Sequence, residues 1–261
     1  MSSQPIGFFD SGIGGITIWK EVTTLLPNEN TIYLADSKNA PYGEKPKEDI
    51  LRLSIKNTEY LLNKGCKLIV VACNTATTNA IDYLRTHYNV PFIGIEPAIK
   101  PAALQTKTNS VGILATKGTL ASSLFSKTSA LYASNIKVTE QVGIGLVDLI
   151  EQGKLNSPEM TSLLRTYIAP MVAADIDYLV LGCTHYPFLI EQLRTMLPET
   201  VTIIDSGKAI AKQTQHILTA NHIENTTNKI ATHSIATNYK PEILQQFLGD
   251  DASLKASYLN F

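Results

Sequence analysis

The chain has 261 residues, of which 44% are hydrophobic and 17% are charged. This length allows one large α/β domain or two of ordinary size, and the composition excludes a wholly disordered chain. The formal net charge of −1 offers no basic field for phosphate contacts, so nucleic acid is not expected as a primary partner.

Neither the N-terminus nor the apolar runs indicate export or membrane insertion. Residues 1–5 lack the basic and apolar regions of a secretory signal. The apolar runs at 68–73 and 178–183 are too short to cross a bilayer. An odd, low count of three cysteines favours reduced thiols. The sequence therefore predicts a cytoplasmic protein with no membrane partner.

Apolar runs alternate with amphipathic segments along the first part of the chain. Strands are expected at residues 5–9, 31–35, 67–72 and 91–95, and helices at 15–26, 47–64 and 77–87. This alternation predicts βαβ crossovers and a mostly parallel sheet.

A second series of the same kind follows. Strands are expected at residues 110–115, 136–142, 178–182 and 201–204, and helices at 120–132, 146–152, 158–173 and 188–197. The chain then continues with a predicted helix at 207–220, a strand at 229–233 and a short helix from Pro241. Residues 221–228 are polar and predict a loop.

The two series place their polar residues alike. The run that ends at Cys73 aligns with the run that ends at Cys183, and Ser11 and Thr116 each follow the first strand of a series. We therefore predict two similar parallel-sheet α/β domains with the active site in the cleft between them.

The predicted domain boundaries follow from the same comparison. The first domain comprises residues 1–98 plus 208–261 and carries Cys73. The second comprises residues 99–207 and carries Cys183. The C-terminal segment is assigned to the first domain because the second series is complete near Asp205.

Cys73 and Cys183 both follow predicted strands at the carboxyl end, where parallel α/β sheets bind ligands. Each is followed at once by polar residues: Asn74 and Thr75 in one case, Thr184 and His185 in the other. A helix N-terminus close behind each cysteine would favour a thiolate or a bound carboxylate. A single cysteine in this position is as readily a buried hydrophobic residue, whereas two in matched settings favour chemistry.

Two turns are expected at the same edge of the first sheet. Residues 10–15 contain Asp10, Ser11 and three glycines, which let backbone amides approach a ligand. The segment does not match G-x-G-x-x-G and no Walker lysine follows, so a carboxylate-sized anion suits it better than a nucleotide. In the second turn, Tyr42 and Gly43 could cover or hydrogen-bond a ligand.

The residues alone leave several functions open. Cys183 with His185 could form the nucleophile and base of a hydrolase. Cys73, Cys183 and His185 could ligate zinc, although the close cysteine spacing usual in zinc sites is absent. Two hinged α/β halves would also suit a non-catalytic amino-acid-binding protein.

Four segments together resemble the glutamate racemases of the aspartate/glutamate racemase superfamily. They are Phe9-Asp-Ser-Gly-Ile-Gly-Gly15, Ala35-Asp36 with Ala40-Pro-Tyr-Gly43, Val71-Ala-Cys-Asn-Thr-Ala76 and Leu181-Gly-Cys-Thr-His-Tyr-Pro187. The resemblance implies an isomerase that interconverts L- and D-glutamate without pyridoxal phosphate, other cofactors or metal. It also implies a bacterial role, in which D-glutamate supplies peptidoglycan for the cell wall and cell shape.

The resemblance further implies roles for individual residues. Cys73 and Cys183 would be the two catalytic bases. The substrate glutamate would contact Asp10, Ser11, Tyr42, Gly43, Asn74, Thr75, Thr184 and His185. Thr116, Thr119 and Glu151 resemble further family residues whose roles the sequence leaves open, and a homodimer is expected.

Overall fold

Two separate sheets of parallel strands organise the chain in the computed structural model, which describes residues 3–227 and 229–261. The strands are β1 Ile6–Asp10, β2 Thr31–Ala35, β3 Leu68–Val71, β4 Phe92–Gly94, β5 Ser110–Ala115, β6 Lys137–Val142, β7 Tyr178–Gly182, β8 Thr202–Ile204, β9 His233–Thr237 and β10 Ala256–Tyr258. The predicted α/β class with two parallel sheets is confirmed.

The helices pack on the faces of these sheets. They are α1 Ile16–Leu25, α2 Lys47–Asn63, α3 Asn74–His87, α4 Ile99–Gln105, α5 Lys117–Leu120, α6 Ser123–Tyr132, α7 Leu146–Glu151, α8 Pro158–Ala173, α9 Ile190–Met196, α10 Gly207–Ala220 and α11 Pro241–Gln246. Within the described ranges, none of them combines the length and apolar character that crossing a membrane requires.

The first sheet has the strand order β10-β9-β2-β1-β3-β4, and the second has the order β6-β5-β7-β8. In each sheet the first strand of the series pairs with the strand that precedes a cysteine: β1 with β3, and β5 with β7. All residues of β1, β3 and β5 are buried, as expected for strands covered on both faces.

The C-terminal segment returns to the first sheet. Strand β9 pairs in parallel with β2, β10 pairs with β9, and α10 packs against α1. This return supports assigning the C-terminal segment to the first domain, while the boundaries at residues 98 and 208 stay a prediction.

The two halves share a hydrophobic core. Buried side chains from the first sheet, such as Phe8 and Val70, belong to the same cluster as Leu114 and Leu181 of the second sheet. This shared packing places the carboxyl ends of β1 and β3 near those of β5 and β7.

Two details of the predicted elements are wrong. The strand expected at residues 229–233 lies at His233–Thr237 instead, because Ile235 and Ala236 are buried in the sheet whereas Ile230 is 95% exposed. The helix expected at residues 120–132 is divided into α5 and α6, because the Ser122 hydroxyl caps a new helix by accepting from Phe125 N.

Candidate active site

A small cavity between the two halves is lined by both candidate cysteines. It encloses about 250 Å³, counting its opening to solvent. Its lining residues are Ser11, Pro41, Tyr42, Gly43, Cys73, Asn74, Thr75, Thr116, Val147, Cys183, Thr184 and His185. The structure thus gathers all the candidate site residues except Asp10 around one cavity.

Strand ends position these side chains. Ser11 follows β1 and Cys73 follows β3 at the edge of the first sheet, while Thr116 and Cys183 follow β5 and β7 in the second. Because parallel neighbouring strands end at the same edge, each sheet presents one hydroxyl residue and one cysteine to the cleft.

Cys73 is the N-cap residue of α3. Its Sγ accepts from Ala76 N at 3.4 Å and donates to Ser11 Oγ at 3.7 Å. Burial raises the pKa of the Cys73 thiol well above its usual range, and the negative charge of Asp10 adds to this effect. Hydrogen bonds with Ala76 N at the helix N-terminus and with Ser11 oppose the shift without overcoming it, so Cys73 is a thiol in the free protein.

Cys183 lies in a different local setting. The segment after it is a 3₁₀ turn, Tyr186–Leu189, and α9 begins only at Ile190. The helix predicted shortly after this cysteine, at residues 188–197, is present, but its α-helical part begins only at Ile190 and does not cap Cys183 as α3 caps Cys73. Instead, His185 Nδ1 lies 3.8 Å from Cys183 Sγ, so a side chain supplies the polar contact that the helix was expected to supply.

His185 connects Cys183 to Glu151. Its Nε2 lies 2.6 Å from Glu151 Oε1. Burial alone would lower the pKa of His185, but hydrogen bonds to Cys183 and Glu151, together with their negative charges, raise it well above the ordinary range. The imidazole is therefore protonated, and it lies between Cys183 and the Glu151 carboxylate. The sequence left the role of Glu151 open, and the structure places it directly behind His185.

The glycines after β1 permit a close approach of the two halves. A Cβ at Gly12 would lie 1.8 Å from Glu151 Oε1, and a Cβ at Gly14 would lie 2.3 Å from His185 Nδ1. In the same loop, Ile13 N donates to Glu151 Oε1 at 2.7 Å. These glycines thus let the first half contact the His185–Glu151 pair of the second half.

Asp10 lies behind the cavity wall. Its carboxylate accepts from Ser11 N at 2.7 Å, Gly15 N at 2.5 Å and, across the cleft, Thr184 Oγ1 at 3.3 Å. Burial raises the pKa of Asp10, while the charge of His185 and a hydrogen bond from Cys73 partly offset that shift. Asp10 therefore organises the groups that line the cavity and forms no part of the wall that the structure describes.

Hydroxyl and amide groups of both halves meet on one side of the cavity. Thr75 Oγ1 lies 2.8 Å from Thr116 Oγ1, which in turn lies 3.0 Å from Thr119 Oγ1. Asn74 is buried, and its Nδ2 donor has no hydrogen-bond partner among the described residues. These groups can donate to a carboxylate, and an unused buried donor indicates where one would bind.

Tyr42 lines the cavity, but its hydroxyl is not directed to a ligand as the sequence suggested. Its hydroxyl donates to Asp36 Oδ2 at 2.5 Å, so that hydroxyl is already engaged inside the protein.

Sequence reasoning missed the apolar wall residues Pro41 and Val147, which carry no chemical signature. Within the described residues, no three His, Cys, Asp or Glu side chains are arranged to hold a metal ion.

Comparison with known proteins gives three consistent results. The family model of Asp/Glu/hydantoin racemases matches residues 17–214. The chain is 48% identical over 225 residues to the glutamate racemase of Herpetosiphon aurantiacus, covering 86% of this chain and 89% of that protein. It is 47% identical over 218 residues to the glutamate racemase of Ectopseudomonas mendocina, covering 83% of each.

Solved structures show the same architecture over nearly the whole chain. Glutamate racemase from Francisella tularensis in complex with D-glutamate aligns with a TM-score of 0.85 and 28% identity, covering 100% of this chain and 98% of that one. Escherichia coli glutamate racemase, in complex with L-glutamate and the activator UDP-MurNAc-ala, aligns with a TM-score of 0.82 and 33% identity over 94% of each chain.

Proposed function

We propose that this chain, which belongs to the Asp/Glu/hydantoin racemase family and is an isomerase, interconverts L- and D-glutamate by proton transfer between two thiols. The observation that carries the proposal is that Cys73 and Cys183, from different halves, line the same small cavity. Two independent kinds of support therefore agree: the similarity to glutamate racemases and the position of both cysteines at one cavity.

Racemisation requires a proton to leave one face of Cα and another to arrive on the opposite face. A thiolate on one side takes the α-proton, forming an S–H bond as the C–H bond breaks. The thiol on the other side then gives its proton to the carbanion. Two bases on facing domains suit this geometry, because neither has to move around the substrate.

The different surroundings of the two cysteines favour one assignment of acid and base. Cys73 is a thiol because burial and Asp10 raise its pKa. Beside Cys183, the protonated imidazole of His185 provides a positive charge that stabilises a thiolate. We therefore assign proton abstraction from the first enantiomer to Cys183, which has this histidine contact, and proton donation to Cys73.

The carbanion places negative charge on the substrate carboxylate. Donors fixed in advance around that carboxylate lower the barrier most. The unpartnered Nδ2 of Asn74 and the hydroxyls of Ser11, Thr75 and Thr184 fit this role. Asp10, Tyr42, Gly43 and His185 complete the proposed substrate-binding set, with Asp10 acting from behind Ser11.

The family resemblance also supports the wider setting of the reaction. We infer that the enzyme needs no cofactor or metal, works in the bacterial cytoplasm as a homodimer, and supplies D-glutamate for peptidoglycan synthesis. The relatives with bound D-glutamate and L-glutamate support glutamate as the substrate.

The decisive experiment is incubation of the purified, metal-free protein with each enantiomer of glutamate in deuterated water. Circular dichroism follows loss of optical activity, and mass spectrometry follows deuterium at Cα. With glutamate we expect both the loss of optical activity and the incorporation of deuterium at Cα. Aspartate is assayed in parallel as the comparison substrate. A hydrolase or a binding protein would leave Cα unlabelled.

The cysteine variants test the two-thiol assignment. Cys73→Ala and Cys183→Ala should each lower racemisation by roughly 10³-fold or more, in the range of general acid–base contributions, while exchanging the Cα proton of one enantiomer. Cys66→Ala is the matched control, because Cys66 is buried outside the cavity. Full turnover in either cavity variant would refute the assignment.

A further inference from the structure

The C-terminal segment reaches the active-site wall through one residue, Asn238, directly after β9. Its side chain binds the turn after β2 in two directions: Oδ1 accepts from Lys38 N at 2.9 Å, and Nδ2 donates to Asp36 Oδ1. Its backbone N also donates to Ala35 O at 3.4 Å. Asn238 is 5% exposed, so these contacts are made inside the protein.

Asp36 is the next member of this network. It is fully buried, and Asn39 Nδ2 donates to its Oδ1 at 2.8 Å. Its second oxygen, Oδ2, accepts from the Tyr42 hydroxyl at 2.5 Å. A buried carboxylate is stable only when donors surround it, and Asn238 is one of these donors.

Tyr42 connects the hydrogen bonds of Asp36 and Asn238 to the cavity wall. Its side chain is held on the protein side by Asp36 and by Asn57 Nδ2, which lies 3.2 Å from the hydroxyl. Tyr42 and Gly43 line the cavity, and a Cβ at Gly43 would lie 2.8 Å from Thr116 Cβ of the other half. The position of this turn therefore sets one wall of the cavity and its fit against the second half.

We propose that Asn238 and Asp36 are positioning residues for racemisation, which hold Tyr42 and Gly43 in the geometry that the substrate requires. The active site is then incomplete without the C-terminal return of the chain. This inference rests on the proposed function, because substrate contact with Tyr42 and Gly43 is part of that proposal. Neither Asn238 nor Asp36 lines the cavity within the described residues, so both act through Tyr42.

The sequence around Asn238 gives no local sign of this role. The segment lies outside residues 17–214, which the family model matches. Asn238 is separated from Asp36 by 202 positions in the chain, and only the parallel pairing of β9 with β2 brings the two together.

The test is a pair of single variants and their combination, assayed with L-glutamate and with D-glutamate. Asn238→Ala should lower kcat/KM by about 10- to 100-fold, since small misplacements of a binding wall cost that much. Tyr42→Phe should lower kcat/KM to a similar degree. If Asn238 acts through the Tyr42 hydroxyl, the double variant should fall no more than about twofold below Tyr42→Phe alone.

The matched control is Asn225→Ala. Asn225 belongs to the same C-terminal segment and is buried, but its Nδ2 donates to Asn28 O at 2.6 Å, away from the cavity. This variant should melt a few degrees lower and keep kcat/KM within about twofold. If Asn238→Ala does not fold, Asn238→Ser, which keeps a hydroxyl donor, replaces it with an expected three- to tenfold loss.

Two results would overturn the inference. One is a loss of kcat/KM in Asn238→Ala no larger than in Asn225→Ala, with both variants assayed well below their melting temperatures. The other is a double variant in which the two losses multiply. Failure of the wild-type protein to racemise glutamate would instead refute the proposed function, so the two failures are distinguishable.

Discussion

His185 has opposing influences on its charge. Burial favours the neutral ring, whereas Cys183 on one side and Glu151 on the other favour the protonated one, and the latter pair prevails. Because the pKa is raised above its ordinary value of 6.5, His185 stabilises the fold fully below that pH. The contribution is lost as the pH rises through the folded-state pKa.

This balance predicts the behaviour of Glu151→Gln. The substitution keeps the shape of the side chain but removes the negative charge 2.6 Å from His185 Nε2, so the pKa of His185 should fall. NMR titration of the imidazole should show protonation persisting well above pH 6.5 in the wild type and a lower midpoint in the variant. We also expect kcat to fall by roughly 10- to 100-fold, because the charge that stabilises a Cys183 thiolate is lost.

A second histidine, remote from Glu151, serves as the control for this titration. Burial lowers the pKa of His233 in β9, with no contribution from Glu151, so the midpoint of His233 should be the same in both proteins. An unchanged His185 midpoint in Glu151→Gln would show that the carboxylate does not hold the proton.

At the scale of elements, a buried ion pair joins the starts of two strands at the edge of the first sheet opposite the cavity. Lys67 Nζ, just before β3, lies 2.6 Å from Glu29 Oε2, just before β2, and both side chains are almost wholly buried. Glu29 Oε1 also accepts from Asn225 N at 2.7 Å. The pair therefore connects two strands with the returning C-terminal segment.

Removing one partner of this pair should destabilise the protein strongly. Glu29→Ala leaves the Lys67 ammonium buried without this carboxylate, which costs about 3–5 kcal/mol in comparable cases. Urea denaturation should report that loss, while kcat below the transition stays near the wild-type value because the pair is remote from the cavity. The double variant Glu29→Leu with Lys67→Met should recover much of the lost stability. A destabilisation below about 1 kcal/mol would contradict the buried-pair interpretation.

At the scale of the whole molecule, a wider cleft of about 650 Å³ adjoins the cavity between the two halves. It shares Gly43, Thr116 and other wall residues with the cavity. Its charged lining residues are Lys45, Lys47, Lys117, Glu44 and Asp148. The excess of lysine gives a weakly positive approach for an anionic amino acid.

The charge of this approach should affect substrate capture. Lys117→Glu should raise KM for glutamate about two- to fivefold at low ionic strength and leave kcat nearly unchanged. The difference should shrink in about 0.5 M salt, because ions screen charges over a few ångströms at that concentration. Lys137→Glu, on an exposed residue that does not line the cleft, is the control. A KM effect that is insensitive to salt would mean a direct contact instead of a field.

Features that depend on local pattern could be predicted from the amino-acid sequence. Alternating apolar runs and amphipathic segments predicted the parallel α/β architecture, and the polar residues that end those runs predicted Cys73 and Cys183 as candidates at strand ends. Boundaries failed where local pattern was ambiguous, as at Ile230, whose apolar side chain proved to be exposed. Local pattern succeeds because backbone geometry and burial of one face repeat within a few residues.

Contacts between groups that are distant in the chain, and the charges of those groups, depend on the packed fold and could not be predicted from local pattern. Burial and Asp10 raise the pKa of Cys73. Hydrogen bonds to Cys183 and to Glu151 raise the pKa of His185, and of these two partners only Cys183 is a neighbour in the sequence. The link from Asn238 to Asp36 depends on the pairing of β9 with β2. Desolvation and long-range contacts arise only when the chain is packed, which is why a sequence pattern cannot contain them.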